Sequence, residues 1–139
     1  YNLDTTEIAM RAFALGDLLV YQHKYDEAII KYDSVLIAFS GHTLTDEIYL
    51  RKSEIYYLQN KYDLALSELK RIEEDWSYDI LADDALYKRA KIYENILDDM
   101  NNAMFLYEKI ILEHSSSIFV AESRKRFREL RGDNLKIEE

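Results

Sequence analysis

Apolar residues along this chain recur at intervals of three and four, the spacing that places side chains on one face of an α-helix. Ile48 and Ile55 lie before a polar break near residue 60, and Leu69 and Ile72 continue the pattern after it. Similar breaks interrupt the pattern along the whole chain. The pattern predicts seven helices, at about residues 5–22, 25–39, 44–59, 62–75, 80–97, 100–114 and 118–131.

A short phrase around an alanine opens every second helix and occurs three times. It reads Tyr25-Asp26-Glu27-Ala28-Ile29, then Tyr62-Asp63-Leu64-Ala65-Leu66, then Met100-Asn101-Asn102-Ala103-Met104. The alanines are separated by 37 and 38 residues. Self-similarity at such a period is typical of a repeat architecture. Each unit is predicted to be a helical hairpin, in which the alanine methyl group lets the two helices approach closely where they cross.

The residues around each alanine resemble the pattern of tetratricopeptide repeats (TPRs). In that family a small residue and an aromatic or leucine on the first helix face an aromatic, a small residue and another aromatic on the second. The three matching sets are Gly16, Leu19, Tyr25, Ala28 and Tyr32; Ser53, Tyr56, Tyr62, Ala65 and Leu69; and Ala90, Tyr93, Met100, Ala103 and Tyr107. The period exceeds the usual ~34 residues of the family, the third turn is longer by one residue, and proline is absent.

The resemblance implies an all-α fold, a right-handed stack of three hairpins with a C-terminal capping helix. The expected hairpins are residues 5–39, 44–75 and 80–114, within one domain of residues 1–131, and residues 132–139 are expected to fray. The cap, 118–131, would cover the third hairpin with Val120, Phe127 and Leu130. Thr43 and Asp46 have capping-box spacing, and Gly132 suits a helix C-cap.

Two connecting segments narrow the resemblance further. Residues 78–87 and 113–124 resemble segments of bacterial cell-envelope TPR proteins, of the outer-membrane assembly lipoprotein and Tol–Pal coordinator type. This resemblance implies a location in the periplasm or at the outer membrane. Because the sequence opens on Tyr1 and carries no signal peptide, we expect it to be the C-terminal part of a larger TPR protein.

Composition sets limits on the possible partners. Three glycines and no proline leave few helix breakers, which favours helix throughout. The formal net charge of −9 argues against a nucleic-acid partner, which would require a basic face. The chain has no cysteine, and no apolar run approaches the ~20 residues that a membrane span needs.

No catalytic or metal-binding pattern is found, so we expect neither an enzyme nor a cofactor. His23, His42 and His114 are scattered, whereas metal ligands usually cluster. The acidic turn at 98–102 lacks the ligand order of a calcium loop, and adjacent carboxylates such as Asp83 and Asp84 point in different directions on a helix. The basic run at 124–128 is interpreted as a solvated helix face. The alternative is a basic end of an acidic chain that docks against the next protein segment or a neighbouring molecule.

Tyrosine occurs twelve times, and Tyr21, Tyr57 and Tyr87 fall outside the packing positions of the repeats. In the TPR arrangement the first helix of each hairpin lines a concave groove, where tyrosine suits a binding surface. The predicted partner-binding groove contains Met10, Phe13, Asp17, Val20, Tyr21, Glu47, Leu50, Glu54, Tyr57, Asp84, Tyr87, Lys91 and Glu94. Its acidic side chains predict a protein or peptide partner with some basic residues. The alternative is a structural spacer or self-association module of a larger envelope protein.

Overall fold

The computed structural model describes residues 2–41, 43–75 and 80–132. In these ranges the chain forms seven α-helices and no strand, as the hydrophobic pattern predicts. They are α1 (Leu3–Tyr21), α2 (Tyr25–Ala38), α3 (Thr45–Leu58), α4 (Tyr62–Asp75), α5 (Ile80–Asn95), α6 (Met100–Glu113) and α7 (Val120–Arg131). The predicted ends differ from these by two residues at most. The frayed tail was predicted at residues 132–139, and apart from Gly132, which caps α7, these residues lie outside the described ranges.

The repeated alanines are all fully buried, as their predicted place at a helix crossing requires. Ala28, Ala65 and Ala103 each have 0 % of their surface exposed. Tyr32 and Tyr107, four residues later in α2 and α6, are equally buried. A methyl group and a ring one helical turn apart therefore form the interior of the helix pairs α1–α2 and α5–α6.

The three short turns within the helix pairs share one backbone conformation. His23, Asn60 and Asp98 adopt positive φ angles of 61°, 61° and 52°, in the left-handed region where His, Asn and Asp are enriched. In the first two turns the next residue donates its N–H to a carbonyl five residues back, Lys24 to Leu19 and Lys61 to Tyr56, both at 2.8 Å. These bonds close the ends of α1 and α3 in the manner of a Schellman motif.

The third turn accommodates its extra residue by a longer closing bond. Asp99 donates its N–H across six residues to the carbonyl of Tyr93, at 2.8 Å. The side chain of Asp99 then caps α6 by accepting from the backbone N–H of Asn102 at 3.2 Å, which satisfies one of the unpaired donors of a helix start. The insertion therefore leaves the helix pair intact.

Of the two helix signals in the sequence, one is confirmed and one is wrong. Gly132 is the C-cap of α7, with a left-handed φ of 93°. The capping box at Thr43 does not form, because α3 begins at Thr45 with Leu44 in the N-cap position and no side-chain capping hydrogen bond. Asp46 is buried instead, so its side chain belongs to the interior of the fold.

The described chain divides between Glu68 and Leu69, inside α4, into two compact units. In the first unit, α1, α2 and α3 enclose a core that contains Ala28, Tyr32, Val35, Ile48 and Ile55. In the second, α5, α6 and α7 enclose a core that contains Leu86, Ala103, Leu106, Ile110 and Val120. Phe127 and Leu130 pack against this second core, so α7 covers α6 with the side chains that its pattern predicts.

Buried cations add electrostatic links within each unit. The side chain of Lys52 is 7 % exposed, and its Nζ lies 2.8 Å from Asp33 and 3.3 Å from Glu68. Burial alone would lower the pKa of Lys52, but the hydrogen bond to Asp33 and the charge of Glu68 outweigh it and raise the pKa. Arg89 in the second unit donates two hydrogen bonds to Glu73, at 2.5 and 2.6 Å. Removing one partner would leave an uncompensated buried charge.

Candidate functional site

In the first unit, three residues of the predicted groove surround one arginine that is not among the predicted groove residues. Nε of Arg51 donates to Asp17 at 3.2 Å, and a terminal nitrogen lies 3.9 Å from Glu47. The guanidinium carbon is 5.6 Å from the ring centroid of Phe13, within cation–π range. The structure therefore neutralises part of the negative charge that was predicted to attract a basic partner.

Asp17 also holds the most buried tyrosine of the first unit. The hydroxyl of Tyr32 donates to its carboxylate, and the rings of Phe13 and Tyr32 lie 5.8 Å apart. Burial and the neighbouring carboxylate raise the pKa of Tyr32 far above its usual value of 10.0. Asp17 thus links α1, α2 and α3.

The remaining first-unit residues of the predicted groove differ widely in exposure. Tyr21 is 84 % exposed, Met10 55 % and Tyr57 44 %, so these three offer apolar surface to a partner. Glu54 is exposed as well. Val20 is half-buried against the first core. Leu50 is only 6 % exposed, which places it in the interior and outside an accessible groove.

Tyr57 has a defined orientation as well as an exposed edge. Its ring packs edge-on against Tyr62, with centroids 5.5 Å apart and an interplanar angle of 78°. The hydroxyl of Tyr62 in turn donates to Asn60 at 2.8 Å. An aromatic side chain held in this way loses little conformational entropy when it binds.

In the second unit, Tyr87 serves internal packing. Its half-buried ring stacks on Phe119 with centroids 4.4 Å apart and an angle of 11°, and it meets Tyr107 edge-on at 6.2 Å. Nζ of Lys91 lies 5.9 Å from the Tyr87 centroid. Asp84 lies 3.6 Å from Lys88, one turn along α5. Phe119 was predicted to lie in the helix at 118–131 but was not assigned a packing role, and in the structure it is the N-cap residue of α7.

Glu94 is the most enclosed carboxylate of the predicted groove, with 8 % of its side chain exposed. It accepts from the hydroxyl of Tyr107 at 2.7 Å and from Nε of Arg126 at 3.2 Å, and a second nitrogen of Arg126 contacts its other oxygen. Burial works against the charged form, but the bonds from Arg126 and Tyr107 outweigh it and lower the pKa of Glu94. Glu94 therefore joins α5, α6 and α7.

The two carboxylates occupy the same kind of junction. Asp17 and Glu94 each lie on a first helix, accept from a tyrosine on the second helix, and pair with an arginine on the helix after that. We call each set a tyrosine–carboxylate–arginine junction. Arg51 follows Asp17 by 34 residues and Arg126 follows Glu94 by 32, intervals shorter than the repeat period of 37 and 38, so the period gave no signal for either arginine.

The two histidines in the described part of the chain show no catalytic arrangement. His114 pairs with Asp83, and His23 lies 2.8 Å from the hydroxyl of Tyr25, whereas His42 lies outside the described residues. Within residues 2–41, 43–75 and 80–132, no group of three potential ligands could hold a metal ion. None of the helices in those ranges has the length and apolar character required to cross a membrane.

An exposed apolar stripe runs along α1, on a different set of positions from the predicted groove. Ile8, Leu15 and Leu18 are 58 %, 49 % and 48 % exposed. One repeat later, Leu18 corresponds to Ile55, which is 1 % exposed and packs in the first core with α2 residues. The stripe on α1 therefore has the position of a face that α3 buries.

Comparison with known proteins supports the repeat assignment. Residues 84–117 match the family model described as Tetratricopeptide repeat, and they include Ala90, Ala103 and Tyr107. No curated protein matches the chain significantly. Among solved structures, the chain is similar to the TPR2AB domain of yeast Sti1 in a complex with pHSP90, with a TM-score of 0.71 and 18 % identity over 95 % of this chain.

The extent of that likeness limits what it shows. The matched region is 51 % of the Sti1 chain, so this protein spans about half the length of its structural neighbour. At 18 % identity the similarity shows the fold alone. The chain thus has an all-α helical repeat fold of the tetratricopeptide kind, and its residues 84–117 match the family's repeat.

Proposed function

We propose that this protein is an interaction scaffold that binds a segment of a partner protein along its first helices, without catalysis. The observation that carries the proposal is the exposed apolar set of Met10, Tyr21 and Tyr57 on α1 and α3. Tyrosine offers a large apolar area and a hydroxyl group at low entropic cost. The fold supports the proposal, since repeat arrays typically present extended binding surfaces.

Aromatic contacts are proposed to supply most of the affinity. Asp17, Glu47 and Glu94 already pair with arginines of the protein. A basic partner would have to compete with those arginines, so its charge would add selectivity more than binding energy. A desolvated aromatic anchor, in contrast, contributes about 2 kcal/mol or more at the centre of an interface.

A peptide-display selection against the purified protein tests this proposal. Selected peptides are titrated against the wild type and against Tyr21→Ala/Tyr57→Ala, with circular dichroism to verify the fold. We expect the double variant to fold normally and to bind at least tenfold more weakly. Tyr87 is left unchanged, because removing a ring that stacks on Phe119 would weaken the second core.

The matched control is Ile37→Ala/Phe105→Ala, which removes apolar side chains that are 82 % and 64 % exposed on second helices. This variant should bind the selected peptides as the wild type does. Equal binding by the wild type and the Tyr21/Tyr57 variant would reject the first helices as the working surface.

The apolar stripe on α1 favours a second candidate, a structural module that stacks on another helical segment or on a second copy. Ile8, Leu15 and Leu18 together form such a stacking surface. Sedimentation velocity over a concentration series distinguishes the candidates. A monomer at all concentrations supports the peptide-binding proposal, whereas self-association that Leu15→Glu abolishes supports the structural module.

The proposed setting is the bacterial cell envelope, as the connector segments suggest. This proposal rests on resemblance in residues 78–87 and 113–124, of which residues 78 and 79 lie outside the described ranges. Fractionation of the native host with an antibody against the protein tests it. Recovery with cytosolic markers, free of periplasmic and outer-membrane markers, would reject the envelope assignment.

A further inference from the structure

Helix α7 stands in the register of a first helix. Val120 and Ser123 are buried and lie 38 residues after Ala82 and Ala85, which are buried in α5. This interval equals the spacing of Ala65 and Ala103. The match assigns each position of α7 a counterpart in α5.

On α5, one face meets the second helix of the same pair. Leu86 and Ala90 are buried in the second core with Ala103 and Leu106 of α6, and Tyr93 packs against them. The residues 38 positions later on α7 are Arg124, Arg128 and Arg131. Thus α7 carries three arginines on the face by which α5 packs on its partner helix.

Two of these arginines have side chains that no described carboxylate pairs with. Arg124 and Arg128 are exposed, and neither forms an ion pair within residues 2–41, 43–75 and 80–132. Arg126, on the same helix, pairs with both Glu94 and Glu129. Arg126 therefore holds α7 in place, whereas Arg124 and Arg128 face outward.

The outward arginines border a groove between α6 and α7. The groove measures about 430 Å³ and is lined by Glu108, Ile111, Leu112, Arg124, Phe127, Arg128 and Arg131. Leu112 is 71 % exposed, and the guanidinium of Arg131 lies 5.1 Å from the Phe127 ring centroid. An adjoining depression is lined by Ala121, Arg124, Lys125 and Arg128. We call this region the arginine groove.

We propose that the arginine groove docks an acidic amphipathic helix of a partner protein. The helix would occupy, beside α7, the place that α6 occupies beside α5. Its apolar stripe would cover Ile111, Leu112 and Phe127, as amphipathic helices do in hydrophobic grooves. Its glutamates or aspartates would pair with Arg124 and Arg128 through charge-assisted hydrogen bonds.

The charge of the groove decides which helix fits. A purely apolar helix would bury the arginines without partners, which is costly. A basic helix would be repelled. Glu108 lies at the α6 side of the groove, so the acidic residues of the partner belong on the α7 side, over the arginines. This surface is separate from the first-helix face of the proposed scaffold function.

Fluorescence anisotropy with a designed peptide tests the proposal. The probe is an amphipathic helix of about 15 residues, the length of a typical globular helix, with leucines on one face and glutamates beside them. A matched peptide carries glutamine in place of every glutamate. We expect saturable binding of the acidic peptide, at least tenfold weaker binding of the glutamine peptide, and weakening with added salt.

Protein variants locate the binding. Arg124→Glu/Arg128→Glu should reduce the affinity for the acidic peptide at least tenfold and allow a lysine version of the peptide to bind. Lys24→Glu/Lys61→Glu changes the net charge equally at two exposed turn residues and should leave binding unchanged. Circular dichroism verifies that both variants fold.

Several results would overturn the proposal. These are equal binding of the glutamic acid and glutamine peptides, equal losses in both charge-reversed variants, or no saturable binding of the acidic peptide. Binding of anionic phospholipid vesicles or of duplex DNA without binding of the acidic peptide would assign the groove to another class of partner. Dimerisation that Arg124→Glu/Arg128→Glu abolishes would assign it to a second copy of the chain.

Discussion

Gly16 lies under the ring of Tyr32, and the two residues together determine how closely α1 and α2 approach. A Cβ atom at Gly16 would lie less than 3.0 Å from three atoms of that ring, closer than real Cβ atoms come. The ring has little room to yield, because it is fully buried and its hydroxyl is bonded to Asp17. At this position a missing methyl group is part of the packing.

Gly16→Ala should destabilise the protein although alanine is the better helix former. The gain in helix propensity is at most about 1 kcal/mol, whereas overpacking a rigid contact costs about 1–3 kcal/mol. With the full propensity gain subtracted, we expect a net loss of up to about 2 kcal/mol in the free energy of unfolding, measured by urea denaturation.

The control is the same substitution in a Tyr32→Leu background, which reproduces the Ser53–Leu69 combination of the middle pair in size. There Gly16→Ala should be neutral or stabilising, because the ring is gone. An equal loss in both backgrounds would show that the contact with Tyr32 is not the cause.

Equivalent positions of helices α1 and α3 differ in how far they are buried. Both are first helices, and Leu18 and Ile55 occupy the same position in them, 37 residues apart. Leu18 is 48 % exposed and Ile55 is 1 % exposed. The difference arises because α3 follows α2 and packs on it, while the described residues place no helix on that face of α1.

Ile55→Ala should therefore cost about 2–5 kcal/mol of unfolding free energy, as expected for a buried branched side chain. Leu18→Ala, its matched control on α1, should change the free energy by less than about 1 kcal/mol. Both values come from denaturant titration of the isolated protein at low concentration. Equal costs for the two substitutions would mean that another molecule or segment covers the α1 stripe.

The tyrosine–carboxylate–arginine junctions connect helices through charge as well as packing. The pKa of Glu94 is lowered from its ordinary value of 4.5. A carboxyl group whose pKa is lowered by folding stabilises the folded state at pH values above its ordinary pKa. This contribution is lost as the pH falls through the folded-state pKa. The junction should therefore fail in acid.

Glu94→Gln tests this at the level of the α5–α6–α7 unit. We expect a loss of about 1–3 kcal/mol at pH 7, since a buried charge-assisted bond is removed. The difference from the wild type should begin to narrow below about pH 4.5, where Glu94 of the unfolded chain becomes protonated, and should disappear once the pH falls through the lowered pKa of Glu94 in the folded state. Glu113→Gln, at an exposed residue of α6, serves as the control, and a difference that stays constant with pH would contradict the role of the junction.

The whole chain carries 27 acidic and 18 basic side chains, which give a net charge of −9. Some of the basic side chains pair with carboxylates, whereas others stay exposed. Lys52, Arg51, Arg89 and Arg126 pair with carboxylates inside the two units. Arg124 and Arg128 remain on the surface. The strong negative charge favours solubility and leaves this small basic region as an exception.

Stability should also fall in alkali. The pKa values of Tyr32 and Tyr107 lie above their ordinary 10.0, because both side chains are buried beside carboxylates, and the pKa of Lys52 is raised as well. A group whose pKa is raised by folding contributes its full stabilisation at pH values below its pKa in the unfolded state. This contribution is lost as the pH rises through its pKa in the folded state. Unfolding free energy should therefore decline above about pH 10.

The variant Tyr32→Phe/Tyr107→Phe examines the tyrosine contribution. It should be less stable at pH 7, because Asp17 and Glu94 lose a donor, yet its stability should decline less steeply above about pH 10. Denaturation curves between pH 7 and 11 provide the comparison. Parallel profiles for variant and wild type would refute the proposed origin of the alkaline loss.

The sequence by itself determined the helices and the repeat. Apolar spacing and polar breaks are local properties, so the helices were predicted within two residues of their observed ends. The recurrence of Ala28, Ala65 and Ala103 predicted which small residues are buried, because close helix crossings tolerate little else. The failed capping box at Thr43 is a local signal that competes with burial of Asp46.

Only the tertiary structure decided which side chains remain available to a partner. Periodicity placed Leu50, Tyr87 and Glu94 on a groove-facing side, but each is largely engaged inside its unit, through burial, through Phe119 and through Arg126 respectively. Conversely, Arg124 and Arg128 are exposed at positions where a repeat usually packs. Availability depends on neighbours distant in sequence, and a helical period of 3.6 residues contains no information about them.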